Sequence, residues 1–342
     1  MRRNKPSGAP HYREVFLLAV ASPMIAELLT SSAPPLEFFI WWIFILFVAF
    51  YGCAAILIRE ISIRRGSGWP GILLFGGAYA ILEEGMSTRV FFDPAARPLG
   101  PLAQHGLRWL GVNWIWTFDA IFYHAVFSVA LPILLVYQVF PNSRAVPWLG
   151  RRGLTVVTVL FGLAAWVFLV KGGQYVVPKS YLWACLGAIA PLCVLALRRR
   201  VPASGPRPDS TVSPIRFAIL GFAATGAQVL QIFVLPLFLP SPWITLAFFA
   251  GLVFAAGKLL VAWSGEGNWS RMQQCGLLVG ALGFFALLAF FHEVNPTRTY
   301  NATGMRIVGL VALAALAWLW WRARKDARPD FIEPLSPPNR PN

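Results

Sequence analysis

Long hydrophobic runs, separated by short polar, proline-rich or basic segments, dominate the chain. Ten of these runs predict membrane-spanning helices, because about 20 apolar residues in a helix cross the roughly 30 Å hydrocarbon core of a bilayer. They cover residues 14–32, 36–58, 69–84, 112–138, 154–171, 179–197, 215–239, 242–263, 272–292 and 303–322. The runs are continuous rather than alternating, so they predict an all-α, polytopic transmembrane helix bundle and not a β-barrel.

Composition agrees with this interpretation. Hydrophobic residues make up 57 % of the chain and charged residues 13 %, with a mean hydropathy of +0.62, whereas soluble domains carry roughly 25 % charged residues. The net charge of +15 indicates contact with anionic lipid headgroups, because the basic residues cluster at the ends of the runs. We therefore expect the lipid bilayer as a partner and no nucleic acid.

The basic residues also predict an orientation. Every second connection is the richer in Lys and Arg, beginning with the N-terminal segment and with Arg59, Arg64 and Arg65 after the second run. By the positive-inside rule, both termini are predicted to lie in the cytoplasm of a multi-pass cell-membrane protein. We expect a cytoplasmic N-terminal tail over 1–13, a transmembrane domain over 14–324 and a disordered, proline-rich cytoplasmic tail over 325–342. The Pro-, Ser- and Gly-rich linker 198–214 would divide six helices from four.

Acidic residues inside the runs are the candidate chemistry. Counting 1.5 Å per residue places Glu83, Glu84 and Asp119 about 9 Å, and Glu27 about 12 Å, below the outer edge of the hydrocarbon core, with His124 roughly one turn deeper than Asp119. Ionisable residues within a membrane mark functional sites. Each also has a structural interpretation: Glu83 and Glu84 at the level of the lipid headgroups, and the others as interhelical contacts.

Helical spacing predicts which of these side chains face each other. Asn113, Thr117, His124 and Ser128 share one polar stripe on the fourth helix, and Asp119 lies roughly opposite His124. Adjacent glutamates in an α-helix point about 100° apart. We therefore expect one glutamate of the pair to line a cavity, while the other caps a helix end or pairs with Arg89.

Two carboxylates and a histidine in a secluded cavity suit general acid–base catalysis. The hypothesis assigns catalytic roles to Glu83, Glu84 and His124. Substrate binding is assigned to Arg89, Asp93, Asn113 and Asp119. The cofactor stays open, but Glu84, His124 and His292 could bind a divalent metal, since carboxylates and imidazoles are zinc ligands.

The stretch EEGMSTR at 83–89, followed by His124 in the next helix, resembles the CAAX-protease and bacteriocin-processing (CPBP, or Abi) group of intramembrane proteases. That group has an EExxxR motif, then FxxxH, then a further His with Asn or Asp. Arg89 stands one residue later than the family's Arg, and Ala120 stands in place of its Phe. The resemblance covers about residues 69–138. It implies that the glutamates and the histidine activate water for peptide cleavage.

Two other classes of function use the same residue types. A proton- or cation-coupled transporter also needs carboxylates and a histidine within the membrane, often beside helix breaks such as those at Gly85 and Pro132. A membrane enzyme acting on a lipid-linked substrate is the third hypothesis. The residues alone leave these alternatives open beside the intramembrane peptidase, whose substrate would be a peptide.

Overall fold

The computed structural model describes residues 11–96, 99, 102, 107–173, 175–201, 210–239, 241–265, 269–295 and 300–326. The predicted N-terminal tail before residue 11, residues 202–209 of the linker and the tail from 327 lie outside these ranges. Of these described residues, 79 % are helical, which confirms the all-α bundle. Its helices are α1 (Tyr12–Pro23, continued by π-helical Met24–Leu28), α2 (Pro35–Phe38), α3 (Trp41–Arg65), α4 (Gly68–Ala80, continued by π-helical Ile81–Ser87), α5 (Trp114–Val139), α6 (Arg151–Lys171), α7 (Lys179–Arg198), α8 (Pro214–Phe233), α9 (Pro242–Trp263), α10 (Arg271–Val294) and α11 (Met305–Asp326).

Within the described ranges, eight helices are long and apolar enough to cross a membrane, namely α3 and α5–α11. This is two fewer than the ten predicted spans. Helix α1 is short, and α4 carries both Glu83 and Glu84 in its final turns. Crossing of the bilayer by α1 and α4 therefore stays a prediction. Both helices supply acidic residues to the buried cluster described below.

Several helix boundaries differ from the predicted ones. The second run is interrupted at Ile40, whose extended backbone separates α2 from α3. Helix α8 ends at Phe233 rather than 239, and a 3₁₀ turn follows at Leu235–Leu237, where Pro236 lacks the amide hydrogen that an α-helix needs. Helix α11 continues through Asp326, so the predicted tail begins later than 325. The strands among the described residues are β1 (Arg108–Trp109) and β2 (Val112–Asn113), which form an antiparallel hairpin before α5.

Arg59 lies inside the bundle, although the sequence pattern assigns it to a cytoplasmic connection. Its side chain is fully buried, forms an ion pair with Glu60 (2.6 Å) and stacks on the Trp148 ring at 3.7 Å. Glu60 also accepts hydrogen bonds from Arg64 and from the backbone amide of Trp148. The pair is retained because every charge has a partner, and it fixes the connection between α5 and α6 against α3.

Helices α4 and α5 approach closely at Gly76. A Cβ atom at this glycine would lie 2.7 Å from the Cα atom of Ala125, well inside van der Waals contact. Small residues allow such backbone approaches between membrane helices. One hydrophobic cluster then joins α1 and α5 to α10 and α11, with Phe127 and Phe285 in edge contact. The packing therefore continues across the linker at 198–214, and the predicted six-and-four division stays a prediction.

Candidate functional site

Four helices change from α to π geometry where they surround one buried polar cluster. A π turn accommodates an extra residue and changes the direction of the side chains around it; such turns are rare and frequently occur at functional sites. The four turns and their polar residues are Met24–Leu28 with Glu27, Val48–Gly52 with Tyr51, Ile81–Ser87 with Glu83 and Glu84, and His124–Ala130 with His124 and Ser128. The same local irregularity thus occurs at every helix that supplies this cluster.

His124 lies between the two neighbouring glutamates. Its Nδ1 atom is 3.1 Å from Glu83 Oε2, and its Nε2 atom is 3.4 Å from Glu84 Oε1. The three residues are between 1 % and 8 % exposed. The expectation that only one glutamate faces the site is therefore wrong. The divergence of neighbouring side chains is what lets them reach the two opposite nitrogens of a single imidazole.

The remaining carboxylate oxygens have different surroundings. Glu84 Oε2 accepts a hydrogen bond from the indole nitrogen of Trp116 at 3.1 Å. Glu83 Oε1 accepts one from the hydroxyl of Tyr51. Glu83 Oε2 is buried and accepts no hydrogen bond among the described residues. Because buried carboxylate oxygens normally have hydrogen-bond donors, this oxygen is the one best placed to take a proton from a water or a substrate.

The Tyr51 hydroxyl links Glu83 to a third carboxylate. It lies 2.5 Å from Glu27 Oε1 as well as against Glu83 Oε1. A phenol has one hydroxyl proton, so Tyr51 donates to one of the two glutamates at a time. Its contact with the other glutamate is a hydrogen bond only when that glutamate is protonated and donates to the phenol oxygen. The sequence analysis found Glu27 but missed Tyr51, because a tyrosine in an apolar run has the pattern of a core residue.

Aromatic side chains and one serine enclose the imidazole. The ring centroids of Tyr51, Tyr79 and Tyr123 lie 6.3, 6.3 and 5.1 Å from that of His124. Ser128 Oγ is 2.9 Å from Nδ1, as the predicted polar stripe implies. The imidazole is therefore enclosed by side chains, and His124 is buried.

The cluster has the composition of a cation site. One ligand atom from each of Glu83, Glu84 and His124 can be chosen so that all lie within 4.8 Å of one another. Among the described residues, no other group of three or more His, Cys, Asp or Glu side chains has this spacing. His292 does not belong to the group. His292 lies in the last turn of α10. The structure thus brings together two of the three predicted metal ligands, with Glu83 as the third member.

Asp119 points toward a different neighbour from His124. Its Oδ1 atom accepts a hydrogen bond from the side chain of Gln228 in α8 at 3.0 Å, and both side chains are buried. This agrees with its predicted position opposite His124 on α5. The contact joins α5 to α8 and gives Asp119 an interhelical partner.

Arg89 terminates helices rather than pairing with either glutamate. Its guanidinium donates to the backbone carbonyls of Leu169 and Gly173 at the end of α6 and of Tyr175 beyond it, at 2.7 to 3.0 Å. Its own φ of +64° ends α4 in a left-handed residue. The expected pairing with Glu83 or Glu84 is therefore wrong, and the described contacts of Arg89 are those of a helix cap.

Asp93 and Asn113 also make local backbone contacts. Asp93 Oδ1 accepts from the amide of Ala95 at 2.8 Å. Asn113 Oδ1 caps the start of α5 by accepting from the amide of Trp116 at 3.1 Å, and its Nδ2 donates to the carbonyl of Leu102. These are the contacts that such residues typically make at turns and helix N-termini. The predicted substrate contacts of both residues stay predictions.

Comparison with known proteins adds the membrane setting. A family model described as an uncharacterized membrane protein family matches residues 16–291. An uncharacterized protein of Archaeoglobus fulgidus is 25 % identical over 178 residues, which are 50 % of this chain. The chain spans about half of that relative's length, 53 %. No solved structure matches. Together with the apolar helices, the family match identifies a multi-pass membrane protein.

Proposed function

The chain belongs to this uncharacterized membrane protein family, and we propose that it is a membrane-embedded hydrolase whose catalytic group is Glu83, Glu84 and His124. The observation that carries the proposal is the imidazole with a buried carboxylate at each nitrogen, at 3.1 and 3.4 Å. Such an arrangement can accept a proton at one place and deliver it at another without a change in the total charge of the site.

Each group has a role in the proposed reaction. Glu83 Oε2 takes a proton from water, and the water oxygen forms a bond to the carbonyl carbon of an amide or ester. As this bond forms, the π electrons of the carbonyl group move to its oxygen. When they form the C=O bond again, the tetrahedral intermediate breaks its bond to the leaving nitrogen or oxygen, which receives the Nδ1 proton of the imidazolium form of His124. Glu83 returns the first proton to the imidazole, and Glu84 holds the ring through Nε2. The products are a carboxylic acid and an amine or alcohol.

The proposed substrate is a peptide or a lipid-linked molecule that reaches the site from within the bilayer. The burial of the cluster among apolar helices supports this. The resemblance to the CPBP proteases favours a peptide. We also propose that the protein lies in the cell membrane with both termini in the cytoplasm, on the distribution of Lys and Arg.

The test follows oxygen-18 from labelled water into the products. Purified protein in lipid vesicles is incubated with apolar helical peptides or with extracted membrane lipids, and new carboxyl groups that carry oxygen-18 are identified by mass spectrometry. We expect label with the wild-type protein, and its loss in the Glu83→Gln, Glu84→Gln and His124→Ala variants. Label that persists at the wild-type rate in all three variants would refute the site.

A divalent metal is the second candidate for the chemistry at this site. Two carboxylate oxygens and one imidazole nitrogen within 4.8 Å form a ligand set that zinc accepts, and a bound zinc would polarise a water or a carbonyl oxygen. Metal analysis of the purified protein distinguishes the two mechanisms. Stoichiometric metal in the wild-type protein, absent from His124→Ala, favours the metalloenzyme. Hydrolysis that survives complete removal of metal by a chelator favours direct activation of water by Glu83.

A further inference from the structure

The hydroxyl of Tyr51 lies between the catalytic group and Glu27. It contacts Glu83 Oε1 on one side and Glu27 Oε1, at 2.5 Å, on the other. Tyr51 is 5 % exposed, and both it and Glu27 come from π turns. Neither residue belongs to α4 or α5, which supply Glu83, Glu84 and His124. The two residues therefore form a separate support for one member of the catalytic group.

We propose that Tyr51, itself held by Glu27, is a positioning residue that fixes Glu83 against Nδ1 of His124. The catalytic meaning of this assignment rests on the proposed hydrolase function. The geometric claim concerns the orientation of one carboxylate. Hydrogen-bond partners of metal ligands orient those ligands in the same way, and their loss typically lowers activity or metal affinity by about 10- to 100-fold; we expect an effect of that size here.

The Tyr51 ring is itself rigidly placed. It makes edge contacts with Phe47 and Phe50, each with ring centroids 5.7 Å apart. Its hydroxyl is therefore a fixed point to which Glu83, a side chain with three rotatable bonds, is attached through Oε1. With that oxygen held, Oε2 lies 3.1 Å from Nδ1. Without it, the carboxylate can rotate away from the imidazole, because Oε2 accepts no hydrogen bond from the described residues.

Glu27 supplies the second half of the support. A phenol hydroxyl rotates about its C–O bond unless a second partner restrains it, and Glu27 Oε1 is the second group in contact with this hydroxyl. Glu27 is partly exposed, whereas Glu83 is 1 % exposed. The line of contacts thus runs from a partly exposed carboxylate to a fully buried one.

Nitrogen-15 NMR of the full chain, labelled at histidine and held in detergent micelles, tests the proposal directly. The Nδ1 signal of His124 reports on Glu83 and on Ser128, which every variant keeps, and the Nε2 signal reports on Glu84. Comparison with His124→Gln assigns both signals to this residue. We expect Tyr51→Phe to move the Nδ1 signal and to leave the Nε2 signal in place. Glu27→Gln, which preserves the shape of the side chain, should move Nδ1 in the same direction by a smaller amount.

Tyr123→Phe is the matched control. Tyr123 also lies beside the imidazole, but its hydroxyl donates to the backbone carbonyl of Ala26 at 2.6 Å, so its removal should leave both nitrogen signals nearly unchanged. An Nδ1 signal that is the same in Tyr51→Phe, Glu27→Gln and the wild-type protein would overturn the proposal. An unchanged Nε2 signal in a variant shows that the site is still folded.

The activity measurement separates this inference from the proposed function. In the oxygen-18 assay, Tyr51→Phe should lose about 10- to 100-fold in rate, and Tyr123→Phe should not. If the wild-type protein incorporates no label but Nδ1 moves in Tyr51→Phe, the hydrolase function fails and the positioning role stands. If the label is incorporated but Nδ1 does not move, the positioning role fails and the hydrolase function stands.

Discussion

Replacement of Gly76 by alanine should impair the site while leaving the protein folded. The added methyl group would lie 2.7 Å from Ala125 Cα and 3.1 Å from Ala125 Cβ, whereas carbon atoms in favourable contact are about 3.5–4.0 Å apart. Helices α4 and α5 must therefore separate locally by roughly 1 Å. The catalytic group lies two turns further along α4, on the same pair of helices.

The expected change in stability is small, whereas the expected change in rate is large. Overpacking costs typically 1–3 kcal/mol, but alanine in a helix is about 1 kcal/mol more favourable than glycine, so the net change in stability is small. The Glu83 and Glu84 contacts to His124 are already 3.1 and 3.4 Å long. A further separation near 1 Å would break them, and misplacement by that distance can cost about 100-fold in rate.

Gly77→Ala is the control, because its methyl group would make an ordinary contact, 3.4 Å from Ile121 Cγ2. The oxygen-18 assay and thermal unfolding in the same detergent are measured for both variants. We expect a loss of about 100-fold in rate for Gly76→Ala alone, with both proteins folded. Equal rates for the two variants would refute the claim that the close approach at Gly76 sets the geometry of the site.

Four further variants test other parts of the structure. Glu60→Gln should lower the free energy of unfolding by about 3 kcal/mol, since it leaves the buried charge of Arg59 uncompensated. Arg64→Gln, which removes a partly exposed partner of Glu60, should lower it by about 1 kcal/mol or less. Equal shifts of the two variants in thermal unfolding would contradict this. Asp119→Asn should keep the rate of oxygen-18 incorporation within a few-fold, because Asp119 bonds Gln228; a 100-fold loss would place it in the catalytic group. Arg89→Gln should lower thermal stability by about 2 kcal/mol through the lost helix cap, whereas an unchanged stability with lost activity would restore its predicted role in substrate binding.

The hydrophobic pattern could predict the class of fold and the approximate helices, because a membrane helix must be apolar over a fixed length. The same pattern was least informative for α1 and α4. These helices are short or carry acids, and a segment that supplies a polar site deviates from the pattern that identifies a span. Arg59 was misplaced for a related reason, since composition does not show that Glu60 and the Trp148 ring compensate a buried guanidinium.

The sequence by itself determined that Glu83, Glu84 and His124 are unusual, because charged groups within apolar runs are costly and need a compensating partner. It could not determine which atoms meet. That depends on the π turns, which change the direction of each side chain, and on the contact at Gly76, which brings α4 onto α5. Tyr51 could be recognised as part of the site only in the tertiary structure, because helix packing places its hydroxyl beside two carboxylates.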